Sequence, residues 1–208
     1  MTRPIAFFDF DGTLTRRDSL FPFLRKVAGN TAFLSNLALL SPVLTGYAAG
    51  LVRNDVVKEQ VLRRYLAGRS LEALQGAGHD FAEHTLPRLV WPPGLDRLRW
   101  HQEQGHRCVL VSASLDIYLL PWAKANGFEH VISSSLEIDP DKRATGRLFG
   151  ANCHGPEKAK RIKEWMEDQP AAHLYGYGDS TSDLPMLWLT NEAWLRVRGV
   201  FRRVERSV

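Results

Sequence analysis

Phe7-Phe8-Asp9-Phe10-Asp11-Gly12-Thr13-Leu14-Thr15 is the stretch that decides how this 208-residue chain folds. The residues leading into it, Ile5–Phe8, are apolar and β-favouring, so they read as a short buried strand. Charge then arrives abruptly, and Gly12 supplies a permissive turn after the second acid. In an open α/β sheet, ligands bind beyond the carboxyl ends of the strands. An acid pair placed there can ligate a hard cation and divide nucleophilic from acid–base work. Two plainer readings compete. Asp-x-Asp-Gly occurs in ordinary turns, where one acid caps a helix. A calcium-binding loop starts in the same way but ends in a bidentate Glu; Leu20 stands at that position here.

Working outward, strand-like runs recur at residues 108–111, 130–133, 174–177 and 193–197. Helical patterns at 95–104, 115–126, 157–167 and 184–189 separate them. That alternation predicts an α/β fold with a doubly wound parallel, Rossmann-like sheet. Between Asp18 and Val90 the rhythm breaks into helical periodicity, with turn signals at Gly29-Asn30, Ser41-Pro42, Gly68 and residues 76–78. The expected organisation is an α/β core formed by residues 1–16 and 91–208, with an all-helical cap at 17–90. Within the insertion, residues 31–52 carry no charge. Length alone permits a membrane span, but the polar residues, Gly46, Gly50 and especially Pro42 interrupt it. The expectation is a helical hairpin buried within the insertion, with peripheral membrane contact as the alternative.

Composition narrows the class. Hydrophobic residues make up 44% and charged residues 24% of the chain, as in ordinary globular proteins. Lys and Arg number 27 against 23 Asp and Glu, a net charge of +4. No basic stripe interleaved with aromatics accompanies that bias, so nucleic acid is not an expected partner. Cys108 and Cys153 form neither a disulfide framework nor a zinc spacing, which fits a reducing compartment. The first strand follows the N-terminus without a signal-peptide pattern, so the expected location is cytoplasmic. Nothing in the sequence assigns an oligomeric state.

Three further motifs sit where the predicted strands end. Val111-Ser112-Ala113-Ser114 runs into a helix, placing hydroxyls and backbone N–H groups where an anion can bind; a simple helix cap is the plainer reading. Gly155-Pro156-Glu157-Lys158 opens another helix with a cation in its first turn. Cations suit the opposite end of a helix, so Lys158 there points to an anion it serves; a solvated face is the alternative. Finally, Gly178-Asp179 ends a strand, and Asp183 follows at a helix start. Asp183 suits an N-cap, whereas Asp179 repeats the strand-end placement of Asp9 and Asp11.

In this order, the four motifs resemble those of the haloacid dehalogenase superfamily of phosphohydrolases: Asp9-Phe10-Asp11-Gly12-Thr13, Ser112, Lys158, and Gly178-Asp179 with Asp183. The insertion resembles the helical cap of the phosphoserine-phosphatase-like branch. The resemblance implies that Asp9 is the nucleophile and takes the phosphoryl group, while Asp11 is the general acid and base. It implies Mg2+ held by the carboxylates of Asp9 and Asp179 and the carbonyl of Asp11. Phosphate would lie against Gly12, Thr13, Ser112, Ala113 and Lys158, and Asp183 would orient Lys158 or a metal-bound water.

The implied substrate is a small phosphorylated metabolite, but this chain departs from phosphoserine phosphatases at three points. Asp18 stands where they carry a Glu, Ser112-Ala113 replaces Ser-Gly, and Ser180-Thr181-Ser182-Asp183 replaces Gly-x-Asn-Asp. Asp18, the uncharged cap segment and Trp194-Leu195-Arg196-Val197-Arg198-Gly199 are more similar to a bacterial subgroup containing phosphatidylglycerophosphatase C, near histidinol-phosphate phosphatases. For a lipid substrate, Arg196, Arg198, Arg202, Arg203 and Arg206 could meet anionic head groups; a solvated, partly disordered tail is the plainer reading. Arg63, Arg64 and His84 join Asp18 as cap candidates for specificity. A phospho-acceptor signalling module also uses Asp, Ser or Thr and Lys, but it places its acceptor mid-chain and has no cap.

Overall fold

The computed structural model describes residues 2–205, so Arg206 lies outside the described residues. Strand β1 (Ile5–Phe8) is followed by a helical excursion: α1 (Leu20–Ala28), α2 (Asn30–Ala48), α3 (Asn54–Leu66), α4 (Leu71–Asp80), a π-helical turn (Phe81–Thr85) and α5 (Leu86–Leu89). The chain then returns through α6 (Pro92–Glu103), β2 (Arg107–Leu115), α7 (Asp116–Ala125) and β3 (His130–Ser134). A small hairpin, β4 (Leu136–Ile138) and β5 (Ala144–Leu148), precedes α8 (Pro156–Met166) and β6 (Leu174–Gly178). A 3-10 turn (Thr181–Asp183), α9 (Leu184–Leu187), β7 (Glu192–Val197) and β8 (Val200–Val204) complete the described chain.

The main sheet has the order β3-β2-β1-β6-β7-β8, and every pairing is parallel except β7 with β8. Its central strand β1 is apolar and buried throughout because both faces of the sheet are covered there. In β1, Ala6 and Phe8 join the core that holds Leu98 of α6 and Trp122 of α7. Ile5 and Phe7 point the other way, into the core containing Ile162 of α8 and Leu187 of α9. The connection reverses direction between β1 and β6, which creates the crevice where such sheets bind ligands.

The helical excursion leaves and re-enters side by side. Thr15 and Val90 form an antiparallel bridge. Arg16 N–H donates to Leu89 O at 2.7 Å, and Trp91 N–H donates to Leu14 O at 2.8 Å. The β4–β5 hairpin, which the sequence did not announce, clasps these helices from the other side. Gly68 N–H donates to Ala144 O at 2.8 Å, and Leu71 N–H donates to Lys142 O at 2.8 Å.

Residues 31–52 do not form a buried hairpin. Residues 30–48 are one continuous helix, α2, in which only Leu40 is buried, while Leu34 and Leu39 are each 63% exposed. Pro42 fails to break it because the acceptor it strands is otherwise occupied. Proline cannot donate to the carbonyl four residues back, and the Ser41 hydroxyl donates to that Ala38 oxygen at 2.7 Å. The glycines at 76 and 78 likewise mark no turn but lie within α4. A Cβ on Gly78 would sit 2.4 Å from the Ile117 carbonyl oxygen, so this glycine permits close approach of α4 to α7. Nor is the Arg-rich tail disordered through residue 204: β7 and β8 pair in register, turning at Arg198 and Gly199, both with positive φ.

Overpacking at Gly78 gives the first test. Gly78→Ala is expected to lower stability by about 1–3 kcal/mol, read as an earlier urea midpoint. An unchanged midpoint would mean that α4 and α7 do not approach this closely.

Candidate active site

The loop after β1 wraps tightly. Thr13, Leu14 and Thr15 all donate backbone N–H groups to Phe10 O, at 3.2, 2.8 and 3.1 Å. Gly12 turns this loop with φ +82°, and a Cβ there would lie 2.1 Å from Asp179 Oδ2. Gly12 therefore serves both as a turn and as the space into which the Asp179 carboxylate fits. Arg196 reaches across from β7 and donates to Gly12 O at 2.6 Å and Thr15 O at 2.7 Å. Its guanidinium lies 3.9 Å from the centre of the Trp91 ring. This residue holds the loop.

Four charged groups meet where β1 and β6 end. Lys158 Nζ, buried on the first turn of α8, donates to Asp9 Oδ1 at 2.5 Å and to Asp183 Oδ1 at 2.6 Å. Thr13 Oγ1 donates to Asp9 Oδ2 at 2.9 Å. Asp183 Oδ2 accepts from the backbone N–H groups of Asp179 and Ser180 at 3.1 and 3.2 Å. Burial disfavours the Lys158 ammonium, yet Asp9 and Asp183 hold its pKa above the ordinary lysine range. Burial also opposes ionisation of Asp183, but Lys158 outweighs it and keeps that carboxyl low.

Asp11 sits in a separate hydroxyl network. Ser114 Oγ donates to its Oδ2 at 2.5 Å, and Ser19 N–H donates to its Oδ1 at 2.8 Å. The Ser19 hydroxyl in turn shares a hydrogen bond with Tyr118 at 3.1 Å. Burial raises Asp11 to about 7, with Asp18 pushing the same way and Ser114 opposing. Ser112, also buried, accepts Ser114 N–H on its Oγ at 3.0 Å. Asp9, Asp11, Ser112, Ser114, Lys158 and Asp183 line a cavity of about 570 Å³ closed on one side by α1, α2 and α3.

The donor set suits a divalent cation. Oxygen atoms of Asp9, Asp179 and Asp183 lie within 4.8 Å of one another. Three carboxylates against the single Lys158 ammonium leave excess negative charge in a buried place. Burial raises Asp9 to about 8, opposed by Lys158 and reinforced by Asp183 and Asp179; burial and then Asp183 raise Asp179 to about 6. Among the described residues, no N–H or hydroxyl donates to the Asp179 carboxylate. A hard cation with oxygen preference answers both the charge and the unused lone pairs.

Residues 6–187 match the family described as haloacid dehalogenase-like hydrolase. The chain belongs to that family. Protein CicA of Caulobacter vibrioides is 32% identical over 191 residues, covering 91% of this chain and 84% of its own. A histidinol-phosphatase of Neisseria meningitidis serogroup C is 27% identical over 196 residues, covering 90% and 87%. A substrate-bound phosphoserine phosphatase shares the fold, with TM-score 0.64 and 14% identity over 91% of this chain and 83% of that one. The chain is thus a haloacid dehalogenase-family hydrolase with relatives that are named as phosphatases.

Of the residues that the sequence singles out, Asp9, Asp11, Gly12, Ser112, Ala113, Lys158, Asp179 and Asp183 line the one cavity, and Thr13 bonds directly to Asp9. Asp18 reaches its rim but spends Oδ1 on the N–H groups of Leu20 and Phe21, capping α1. Arg63, Arg64 and His84 do not line it. Arg63 backs onto Gly146, Arg64 bonds Asn36, and His84 bonds Asp80 on the surface. The residue overlooked in the helical excursion is Lys58. Its signal was legible: on α3, Lys58 shares the helix face of Val61, Leu62 and Tyr65, so a lysine falls on a buried stripe.

Asp183→Ala removes one partner of a buried ammonium and strands two N–H groups. The expected cost is about 3 kcal/mol, measured as a lowered thermal midpoint in the metal-free hydrolase. A wild-type midpoint would show that Asp183 is not needed to hold Lys158.

Proposed function

We propose that this hydrolase is a Mg2+-dependent phosphomonoesterase that works through an aspartyl phosphate on Asp9. The observation that carries this reading is the meeting of Asp9, Lys158, Asp179 and Asp183 at the switch point of the sheet, beside a separately held Asp11. Asp9 and Asp179, with the Asp11 carbonyl, would hold Mg2+, which neutralises charge and polarises the phosphoryl group.

The protein's own residues divide the remaining work. Thr13 and Lys158 fix the Asp9 carboxylate, one on each oxygen, with the cavity in front of it. An Asp9 oxygen bonds to phosphorus as the bond from phosphorus to the ester oxygen breaks. Protonated Asp11 gives its proton to that leaving oxygen, then takes one from the water that attacks the aspartyl phosphate. The water oxygen ends on phosphate, and Asp9 is regenerated. Ser112 and Lys158 hold the phosphoryl oxygens, the Gly12, Thr13 and Ala113 backbone borders them, and Asp183 keeps Lys158 in place. Residues 17–90 serve as the cap over an α/β core of residues 1–16 and 91–208.

The substrate proposed is a small phosphorylated metabolite resembling phosphoserine or histidinol phosphate, in the cytoplasm. The curated histidinol-phosphatase relative and the shared phosphoserine phosphatase fold support this class. Asp9→Asn is expected to abolish turnover of an aryl phosphate, by a factor of roughly 10⁴ or more. Asp11→Asn should spare activated aryl esters more than alkyl esters, whose leaving oxygen needs a proton. EDTA should silence the wild type across a panel of phosphoserine, histidinol phosphate and phosphatidylglycerophosphate. Unchanged turnover in Asp9→Asn removes the nucleophile assignment.

One observation favours a second reading, a phosphatidylglycerophosphate-type lipid substrate met at a membrane surface. Helix α2 is long and apolar enough to cross a membrane, is mostly exposed, and contributes Leu44 and Tyr47 to the cavity wall. Flotation with anionic vesicles tests it: the wild type should co-float, and Leu34→Asp with Leu39→Asp should not. Absence of wild-type binding sets this reading aside.

A further inference from the structure

Lys58 is the buried charged residue in this cavity for which the family motifs give no account; Arg16 and Arg17 also line it but are exposed. It projects from α3, on the cap side, and is only 9% exposed. Among the described residues, no carboxylate lies within ion-pairing distance of its ammonium. Burial lowers its pKa to about 8. A lysine buried in this way costs stability unless its donors are well used. Two are: Nζ donates to Ala113 O and, at 2.7 Å, to Asn152 Oδ1.

The first of these bonds matters because of which peptide it engages. The Ala113 carbonyl and the Ser114 N–H belong to one amide group. That Ser114 N–H donates to Ser112 Oγ at 3.0 Å. Ser112 Oγ has no other partner among the described residues, so with this bond accepted its own proton is free to point into the cavity. The Ser114 side chain donates to Asp11 Oδ2 at 2.5 Å. A single amide therefore governs Ser112 on one side and Asp11 on the other. An ammonium on its carbonyl oxygen polarises the amide and strengthens its N–H as a donor. It also fixes the rotation of the amide plane.

We propose that Lys58 is a positioning residue: from the cap it locks the Ala113–Ser114 amide, so that Ser112 presents its hydroxyl proton to a bound phosphoryl oxygen and Ser114 aligns Asp11. Cap docking is thereby coupled to completion of the phosphate site, since the ammonium reaches Ala113 only when α3 lies against β2. The second anchor belongs to the same device. Asn152 Oδ1 also accepts from Ser134 Oγ at 3.0 Å, and its Nδ2 donates to Asn54 Oδ1 at 3.0 Å. Lys58 is thus aimed by residues from both the cap and the core. The inference rests on the phosphomonoesterase reading of Ser112.

The test uses the full chain and inorganic phosphate as the probe. Lys58→Met keeps the length and apolar stem of the side chain. Orthophosphate binding, followed by calorimetry with and without Mg2+, should weaken about 10–100-fold, as for loss of groups that orient direct ligands. In parallel, kcat/KM for p-nitrophenyl phosphate should fall by a similar factor while the folded spectrum is retained. Ethylammonium should restore part of the loss in Lys58→Ala. A lysine with a merely structural role would shift the unfolding midpoint and leave phosphate affinity of the folded protein intact; that result overturns the proposal. If Lys58→Met folds poorly, Lys58→Gln keeps a polar group in the buried site, and the same loss is expected. Wild-type protein that binds orthophosphate but does not turn over the aryl ester would count against the phosphomonoesterase reading. The binding comparison would still decide the role of Lys58.

Discussion

Too much negative charge in too little water is the constraint around which this molecule is organised. Asp9, Asp179 and Asp183 crowd the ends of two adjacent parallel strands, and one buried ammonium, Lys158, stands among them. Attraction within such a cluster is strong because the surroundings screen poorly, and the cost of an unmatched charge is high for the same reason. The surrounding structure satisfies part of the demand with Thr13 and the N–H groups of residues 179 and 180. The remainder is a donor set that suits a divalent cation. Stability and chemistry thus draw on the same electrostatic imbalance.

Holding that cluster requires rigid backing, and it comes from unexpected places. Arg196, near the far edge of the sheet, grips the carbonyls of Gly12 and Thr15 and stacks on Trp91. One guanidinium therefore braces the loop after β1 at the point where the chain departs for the helical excursion and returns from it. Both bonds come from one nitrogen, Nη1, while the planar group lies over the Trp91 ring, a stacking that a lysine would not provide. Asp11 is backed differently, through Ser114, Ser19 and Tyr118, in a chain of hydroxyls shielded from solvent. Separate supports keep Asp9 and Asp11 in distinct environments, the condition under which two carboxyls in one site can take different roles.

The helical excursion contributes in two ways. Helices α1 to α3 roof the cavity, and α3 sends Lys58 onto the core. Helix α2 behaves otherwise: it lies mostly exposed, holds its line through Pro42 with the help of the Ser41 hydroxyl, and leaves leucines on the surface. Exposed apolar groups of this density are usually met by something.

The strand-then-acid pattern around Asp9, repeated at Asp179, determined the α/β class and the motif residues, because β-strand periodicity and turn chemistry are local and survive in a linear reading. Helices separated by apolar runs likewise determined a covered parallel sheet. The burial of α2 could not be read in this way: lack of charge says what a segment tolerates, and only the packing around it says where it lies. Arg63, Arg64 and His84 were plausible by type, yet helix rotation and the β4–β5 hairpin turned Arg63 outside the cavity and left Lys58 within it. Arg196 became a brace for the loop after β1 because β7 pairs beside β6, a pairing between distant segments. Local chemistry thus chose the reacting groups, whereas long-range packing chose which charges face them. Only the folded chain brings side chains 149 residues apart, Asp9 and Lys158, into one low-dielectric place.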